Sequence, residues 1–393
     1  MAPADEPPSD PITAAEVKEI AKTKLNQPTW DYYSTGADEN RTLDRNATIY
    51  RKLLLRPRAL RNVADVDTST YIFGKRYEIP IAIAPSAYQK LVGPGGEIDM
   101  TRASYALGTN FTLSSNATTS LEDVMAALPP RDAKYPAPWF QLYFLRSRDQ
   151  TRGVIKRAEE AGYEALVLTV DTAVLGNRLG ERKKPLVLPP GLSTANRASR
   201  QAGGVSKGRL LLNAKTAAEA KKVDEENGDF LVDRSLEWGE VIPWLREQTS
   251  MKILVKGIMT AEDALEAMVA GVDGIVVSNH GGRQLDGVPS TLEMLPEIAD
   301  VVKGRIPIVF DGGISTGSDV FKALALGADL CLIGRSALWG LAYDGQNGVE
   351  AVLHILEREL WRTMVLSGAS SISKISRSMV GVAKRDGFGV SKL

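Results

Sequence analysis

Cysteine is nearly absent from this chain of 393 residues. Cys331 is its single copy, which excludes an internal disulfide and a Cys-rich metal site. It lies in the apolar run Asp329-Leu-Cys-Leu-Ile-Gly334 and reads as a small core residue. Histidine is almost as scarce, with two residues, and no paired carboxylates stand at ligand spacing, so a metal centre is poorly supported. Neither sign of charge is in excess: Lys+Arg and Asp+Glu number 48 each, so no global field draws the chain to nucleic acid. No apolar run approaches the roughly 20 residues of a membrane-spanning helix. Residues 1–11 are polar and Pro-rich, unlike a secretory signal. No G-x-G-x-x-G follows a strand, no nucleophile elbow surrounds a serine, and no repeat of 20–50 residues appears beyond a β–α rhythm.

What is present centres on Gly274-Ile-Val-Val-Ser-Asn-His-Gly-Gly-Arg-Gln-Leu-Asp286. Ile275 to Val277 reads as a buried parallel strand. It breaks into Ser278, Asn279, His280, two glycines and Arg283. A general base and a guanidinium therefore sit at the C-terminal end of a strand, where a β/α barrel keeps its chemistry. The competing reading of His280 is a core histidine bonded to backbone. His354 lies in the amphipathic stretch Val352-Leu-His-Ile-Leu and reads as helix surface.

The rest of the chain supplies the barrel. Apolar runs occur at 79–84, 111–114, 139–143, 165–170, 253–256, 275–278, 306–310 and 330–333. Helical patterns follow at 97–107, 120–127, 148–161, 236–248, 261–270, 291–302, 317–326 and 345–366. Eight alternations imply an α/β fold with a parallel sheet closed as a (β/α)8 TIM barrel. Thr13 caps a first helix with Glu16 at the capping-box position. Up to about residue 75 the pattern is irregular and reads as a helical cover over one barrel end. Residues 175–235 form a long insertion after the fourth strand, which reads as a lid. It includes Gln201-Ala-Gly-Gly-Val-Ser-Lys-Gly and a charged run from Glu219 to Glu226, taken as a solvated face. The expected domain plan is a disordered tail at 1–12, a barrel domain at 13–377 and a C-terminal tail at 378–393.

Two chemistries collect at the strand ends. The Gly-rich turns Asp311-Gly-Gly313 and Gly334, beside Arg335, suit a phosphate held on backbone N–H groups and helix N-termini. Ser86, Ser114, Gln141, Thr169 and Ser278 suit the polar edge of a flat heterocycle, and Lys256 an anionic reduced ring. Together they suggest a mononucleotide cofactor in the barrel mouth. The second set is Tyr32, Tyr143, Asp171, Arg178, His280 and Arg283. Two arginines with tyrosines describe a carboxylate clamp. Asp171 beside His280 would orient the imidazole and raise its pKa.

Ser278-Asn-His-Gly-Gly-Arg-Gln-Leu-Asp286 resembles the signature of the FMN-dependent L-2-hydroxy acid oxidases and dehydrogenases, the glycolate oxidase and lactate oxidase family. Asp31-Tyr-Tyr, Gln141-Leu-Tyr143, Thr169-Val-Asp171, Leu254-Val-Lys-Gly257 and Asp311-Gly-Gly313 extend the resemblance, in order, from about Ala14 to Arg377. The resemblance implies FMN on Ala84, Pro85, Ser86 and Ala87, with Ser114, Gln141, Thr169, Lys256 and Ser278 around the ring. It implies a phosphate at Asp311, Gly312, Gly313, Ile314, Ser315, Gly334 and Arg335. Substrate carboxylate would meet Arg178, Arg283 and Tyr32, with Tyr143 at the hydroxyl. His280, paired with Asp171, would take a proton while two electrons pass to the flavin, as hydride or through a carbanion.

Two departures from that pattern stand out. Ser315 occupies the place of a phosphate-binding Arg, which predicts weaker FMN retention. Asn116 stands where plant glycolate oxidases have Trp, which enlarges the substrate pocket or makes it more polar and points to longer or polar 2-hydroxy acids. The implied reaction is oxidation of an (S)-2-hydroxy acid to a 2-oxo acid, with O2 reduced to H2O2. The runner-up is a dehydrogenase using another acceptor. A phosphorylated-nucleotide barrel such as an IMP dehydrogenase relative would need a catalytic Cys, and Cys331 lies inside a strand. A non-catalytic flavin binder would have no use for His280, Asp171, Arg178 and Arg283 together. Only a dozen residues precede the first helix, which is too few for an N-terminal haem domain. The ending Ser391-Lys392-Leu393 is a peroxisomal address, with the import receptor as a partner. The resemblance further implies a homo-oligomer, a tetramer.

Overall fold

The computed structural model describes residues 10–130, 132–197, 207–384 and 390–392. Eight short strands form one parallel sheet: β1 (Ile81–Ile83), β2 (Thr112–Ser114), β3 (Trp139–Leu142), β4 (Ala165–Thr169), β5 (Lys252–Ile258), β6 (Gly274–Val277), β7 (Ile308–Asp311) and β8 (Leu330–Ile333). Each neighbours the next in chain order from β2 to β8, and β8 pairs with β1. A parallel bridge between Ile83 and Phe111 joins β1 to the chain entering β2 and closes the ring. The expected barrel is thus observed, with all eight strands where apolar runs stand.

Strand alternation divides the core in two. One set, including Ile81, Phe140, Leu166, Ile253, Ile275 and Phe310, packs outward against the helices. The other, including Ala82, Trp139, Val167, Leu254, Val276, Val309 and Leu332, fills the barrel interior. Ile72 and Tyr77, from the hairpin Thr70–Ile72 and Lys75–Tyr77, join the interior set and plug the floor. Continuing the same period upward brings Ser114, Gln141, Thr169, Lys256, Ser278 and Asp311 to the mouth, and all six are buried.

The irregular N-terminal region forms helices Ala14–Lys24, Gln27–Ser34 and Arg41–Thr48. Thr13 caps the first by accepting from the Glu16 amide. The lid segment returns to the barrel where Leu145 bridges Val232, and it carries helices Leu179–Lys183, Lys207–Asn213 and Ala217–Asn227. Ion pairs at i,i+4, Lys221–Glu225 and Lys222–Glu226, mark its charged run as a solvated face, except at Asp224. Helix Arg335–Ser367 is broken at Asp344 and Gly345, so its second half begins where the helical pattern at 345–366 predicts. Among the described residues no helix is long and apolar enough to cross a membrane.

The expected C-terminal boundary is corrected. Val380–Ala383 pairs antiparallel with Leu53–Leu55, and Val380 is fully buried, so the fold runs past 377. Val390–Lys392 then pairs on Val380–Ala383, which places Ser391 and Lys392 of the terminal tripeptide in a strand. Leu393, residues 1–9 of the expected N-terminal tail and the lid stretch 201–206 lie outside the described residues.

Candidate active site

His280 sits on the single turn His280–Gly282 after β6, with its own backbone left-handed at φ 58°. That conformation is costly for a non-glycine residue and survives only where neighbours impose it. Three of them do. The His280 amide donates to Ser278 Oγ at 3.1 Å. Asn279 Oδ1 accepts from the Gly282 amide at 3.2 Å. Asn279 also exchanges two amide bonds with buried Asn46 of the cover, at 2.8 and 2.9 Å.

The imidazole meets β4. His280 Nδ1 lies 2.7 Å from Asp171 Oδ1, and Thr172 Oγ1 donates to the same oxygen at 2.7 Å. An ionised carboxylate only accepts, so Nδ1 carries the proton and Nε2 keeps its lone pair. Burial opposes ionisation of Asp171, but His280 and Lys256 beside it hold it down at about 2. The expected rise in the His280 pKa is corrected. Burial lowers it, Lys256 adds to the lowering, and the pull of Asp171 does not restore it. The imidazole is therefore neutral near pH 7 and able to take a proton. Gly257 makes the approach possible, since a Cβ there would lie 2.8 Å from Asp171 Cβ.

The arginines gather opposite. Arg283 donates to the carbonyls of Tyr32 at 2.6 Å and Thr35 at 2.9 Å, and its guanidinium lies over the Tyr32 ring. Arg178 Nη1 meets Glu181 Oε1 at 3.2 Å, and Arg209 of the lid meets Glu181 Oε2 at 3.0 Å. Arg283 Nη2 reaches the same Glu181 at 3.4 Å. One buried carboxylate thus serves three guanidiniums, with Arg335 nearby. Burial and then the like charge of Arg178 bring Arg283 to about 10; burial, Arg283 and Arg178 bring Arg335 to about 9. A surplus of buried positive charge is what an anion site needs. Tyr143 adds a half-buried phenol pushed to about 12 by desolvation and Asp171, so it remains a neutral hydrogen-bond donor.

The mouth ring forms a connected network. Gln141 Oε1 accepts from Ser114 Oγ and from the Ser115 amide, and its Nε2 donates to Thr169 Oγ1 at 3.0 Å. Lys256 Nζ donates to Ser278 Oγ at 2.8 Å, and Ser278 Oγ donates to Asp311 Oδ2 at 2.8 Å. Asp311 Oδ1 is buried without a hydrogen bond among the described residues. The helix beginning at Arg335 has no side-chain cap, and a Cβ on Gly334 would meet only Ala84 Cβ, at 3.9 Å. A polar ring, a buried lysine and an open, uncapped helix N-terminus fit a flavin mononucleotide with its phosphate at Gly334.

Not every expected cofactor residue offers a free donor. Ser315 Oγ donates to Asp319 Oδ2 at 3.2 Å. Arg335 donates to the carbonyls of Tyr33, Gly281 and Thr35 at 2.7, 3.0 and 3.0 Å, so it fastens the cover to the β6 turn. Gly312 and Gly313 have φ 121° and 76°, and a Cβ on either would strike Thr291 Oγ1 or the Asn46 carbonyl. Buried Ile314 stands beside them. Pro85, Ser86 and Ala87 follow β1, where Tyr33 Oη donates to the Ala87 carbonyl at 2.7 Å. Asn116 lies beside Tyr143 in a cavity under the lid. His354 is exposed and meets Glu357, in keeping with its helix-surface reading.

Sequence reasoning missed Asn46, Thr172, Glu181, Arg209 and Gln284. Gln284 staples the β6 loop to the β4 loop by donating to the carbonyls of Asp171 at 3.0 Å and Val174 at 2.9 Å. Thr172 adjoins a quoted motif, Gln284 lies inside one, and Glu181 stands one helical turn after Arg178, so the sequence could have flagged those three. Asn46 and Arg209 carry no local signal.

Comparison with known proteins agrees with this geometry. A profile described as FMN-dependent dehydrogenase matches residues 21–382. The chain is 40% identical over 382 residues to 2-hydroxyacid oxidase 1 of Mus musculus, covering 97% of this chain and 99% of the relative. It is 43% identical over 366 residues to glycolate oxidase of Spinacia oleracea, covering 93% and 94%. Among solved structures, mandelate oxidase with benzoyl-formic acid superposes with a TM-score of 0.82 at 35% identity, covering 95% of this chain and 99% of that one.

Proposed function

This chain belongs to the FMN-dependent dehydrogenase family, and from that premise we propose how its residues oxidise an (S)-2-hydroxy acid to the 2-oxo acid. The observation that carries the reading is the His280–Asp171 contact of 2.7 Å facing a cluster of buried guanidiniums. FMN held by the mouth ring would supply a two-electron acceptor for the substrate, with O2 as the terminal acceptor and H2O2 as its product. Arg178 and Arg283 bind the substrate carboxylate, with Tyr32 stacked on Arg283. Tyr143 donates to the 2-hydroxyl oxygen. His280 Nε2 takes the proton, from the hydroxyl if the hydrogen on Cα leaves as hydride, or from Cα if it leaves as a proton. Either way the imidazolium forms against Asp171, whose charge stabilises it. Lys256, paired with Asp311 and Asp171, holds a positive charge in the mouth ring, where it would stabilise an anionic reduced flavin.

The experiment is to record the visible spectrum of the purified protein and add 2-hydroxy acids anaerobically. A flavin spectrum bleached by (S)- but not (R)-2-hydroxy acids is expected; no bleaching by any 2-hydroxy acid sinks the reading. Under air, peroxide should form one for one with oxo acid. A ratio near zero with rapid dye reduction would assign a different electron acceptor. The proposal extends to the peroxisome, through Ser391-Lys392-Leu393. Because Ser391 and Lys392 pair with Val382 and Gly381, receptor binding requires that strand to peel away. A fluorescent fusion that stays cytosolic with a free Leu393 terminus would refute this address.

A further inference from the structure

Under the lid, beside the ends of β3 and β4, lies a cavity of about 80 Å³. A water needs roughly 10–15 Å³ on this measure, so several heavy atoms fit. Tyr143, Thr172 and Asn116 line it from the strand-end loops, and Leu211, Phe230 and Arg197 from the lid. Through Thr172 the lining is continuous with the proposed reaction centre, since Thr172 Oγ1 lies 2.7 Å from Asp171 Oδ1 and 3.4 Å from His280 Nδ1. A substrate held by its carboxylate on Arg178 and Arg283 would send its side chain this way.

Arg197, in this lining, is partly buried and has no acidic partner among the described residues. The titratable groups acting on it are the phenols of Tyr88 and Tyr143, and burial lowers its pKa. The carboxylates nearby are already taken. Asp224 is held by Arg146 at 2.8 and 2.9 Å and by Arg234 at 2.7 Å. Glu181 serves Arg178, Arg209 and Arg283. Residues 182–218 of the lid hold eight Lys or Arg and no Asp or Glu, in a chain whose charges balance as a whole. The Asn116 side-chain amide also faces this cavity without a hydrogen-bond partner among the described residues, and its backbone alone is engaged. A partly buried cation with no counter-ion is costly unless a ligand supplies the charge. A cationic stretch of that length also raises the local concentration of anions.

We propose that Arg197, with Asn116 beside it, receives a second anionic group, and that the substrate class is the (S)-2-hydroxydicarboxylic acids. This rests on the hydroxy acid oxidation proposed above and deepens it. The first carboxylate lies on Arg178 and Arg283, the carbinol at His280, and the second carboxylate at the lid.

The test compares (S)-malate and (S)-2-hydroxyglutarate with (S)-2-hydroxy-4-methylpentanoate, whose branched end has the shape of a carboxylate without the charge. Anaerobic flavin reduction by the FMN-loaded protein is the readout. The wild type should favour a diacid. Arg197→Met should lower kcat/KM for that diacid by about 10- to 100-fold, the scale of a charge-assisted contact, and change the monoacid by less than about threefold. Arg197→Lys should keep the diacid preference. A wild type that prefers the monoacid overturns the inference, whether or not the variants fold. An equal loss for both acids in Arg197→Met also overturns it, because Arg197 would then only pack the lid. If neither acid nor any other 2-hydroxy acid bleaches the flavin, the function reading itself fails.

Discussion

At the scale of single residues, the site rests on where a proton and three charges sit. His280 is kept neutral by burial and Lys256, so kcat/KM should rise with pH through an apparent pKa below the ordinary imidazole range and then level off. The sign follows from the role: a base must be deprotonated to act. In Asp171→Asn the negative charge that raises the His280 pKa is gone, so the acid limb should move to lower pH. The plateau should fall by about 10²- to 10⁴-fold, as a lost general-base partner costs. A pH–rate series on both proteins checks the two directions together, and an unmoved limb would uncouple the pair. Ser315 gives a second test at this scale. Its hydroxyl is engaged by Asp319, so no charged donor stands where the phosphate is expected. Ser315→Arg keeps the backbone bond to Asp319 and adds a guanidinium. The FMN dissociation constant should fall about tenfold or more, measured by reconstituting apoprotein. An unchanged constant would place the phosphate elsewhere.

At the scale of elements, the β6 turn is held from outside its own strand. Helix Arg41–Thr48 supplies Asn46, 1% exposed, whose amide exchanges two bonds with Asn279. The same helix receives Asp286 at its N-terminus, where Oδ1 accepts from the Thr42 amide at 2.7 Å. The motif and the cover therefore order each other, and the left-handed His280 is held between them. Asn46 has no part in binding substrate as proposed. Asn46→Ala should nonetheless lower kcat about tenfold and destabilise the fold by about 1–3 kcal/mol, the cost of a buried amide left unpaired. Steady-state kinetics with thermal melts would show it; an unchanged kcat would reduce the cover to a shield.

Across the whole molecule, the barrel carries a mouth crowded with like charge and unpaired acceptors, which a bound nucleotide relieves. FMN at 100 times its dissociation constant should stabilise the fold by about 2.7 kcal/mol. For a chain of this length that is a rise in Tm of about 3 °C. Calorimetry of apoprotein with and without FMN tests it, and no rise would contradict a folded-state flavin site.

Much of this was legible in the chain, for reasons that differ from part to part. Eight apolar runs between helical patterns dictate a barrel, because strand and helix periods are local. The same period of two carries Ser114, Gln141, Thr169, Lys256 and Ser278 to one rim once the strands are placed. The Ser278–Asp286 stretch marks the chemistry, since its base, glycines and guanidinium lie within nine residues. Tertiary structure alone decided the rest. Glu181 neutralises arginines from three segments, Asn46 reaches across 233 residues to Asn279, and Arg335 turned from the expected phosphate to three carbonyls. The direction of the His280 pKa was likewise set by burial against the nearby charges. These depend on distance and exposure, which composition and spacing do not contain.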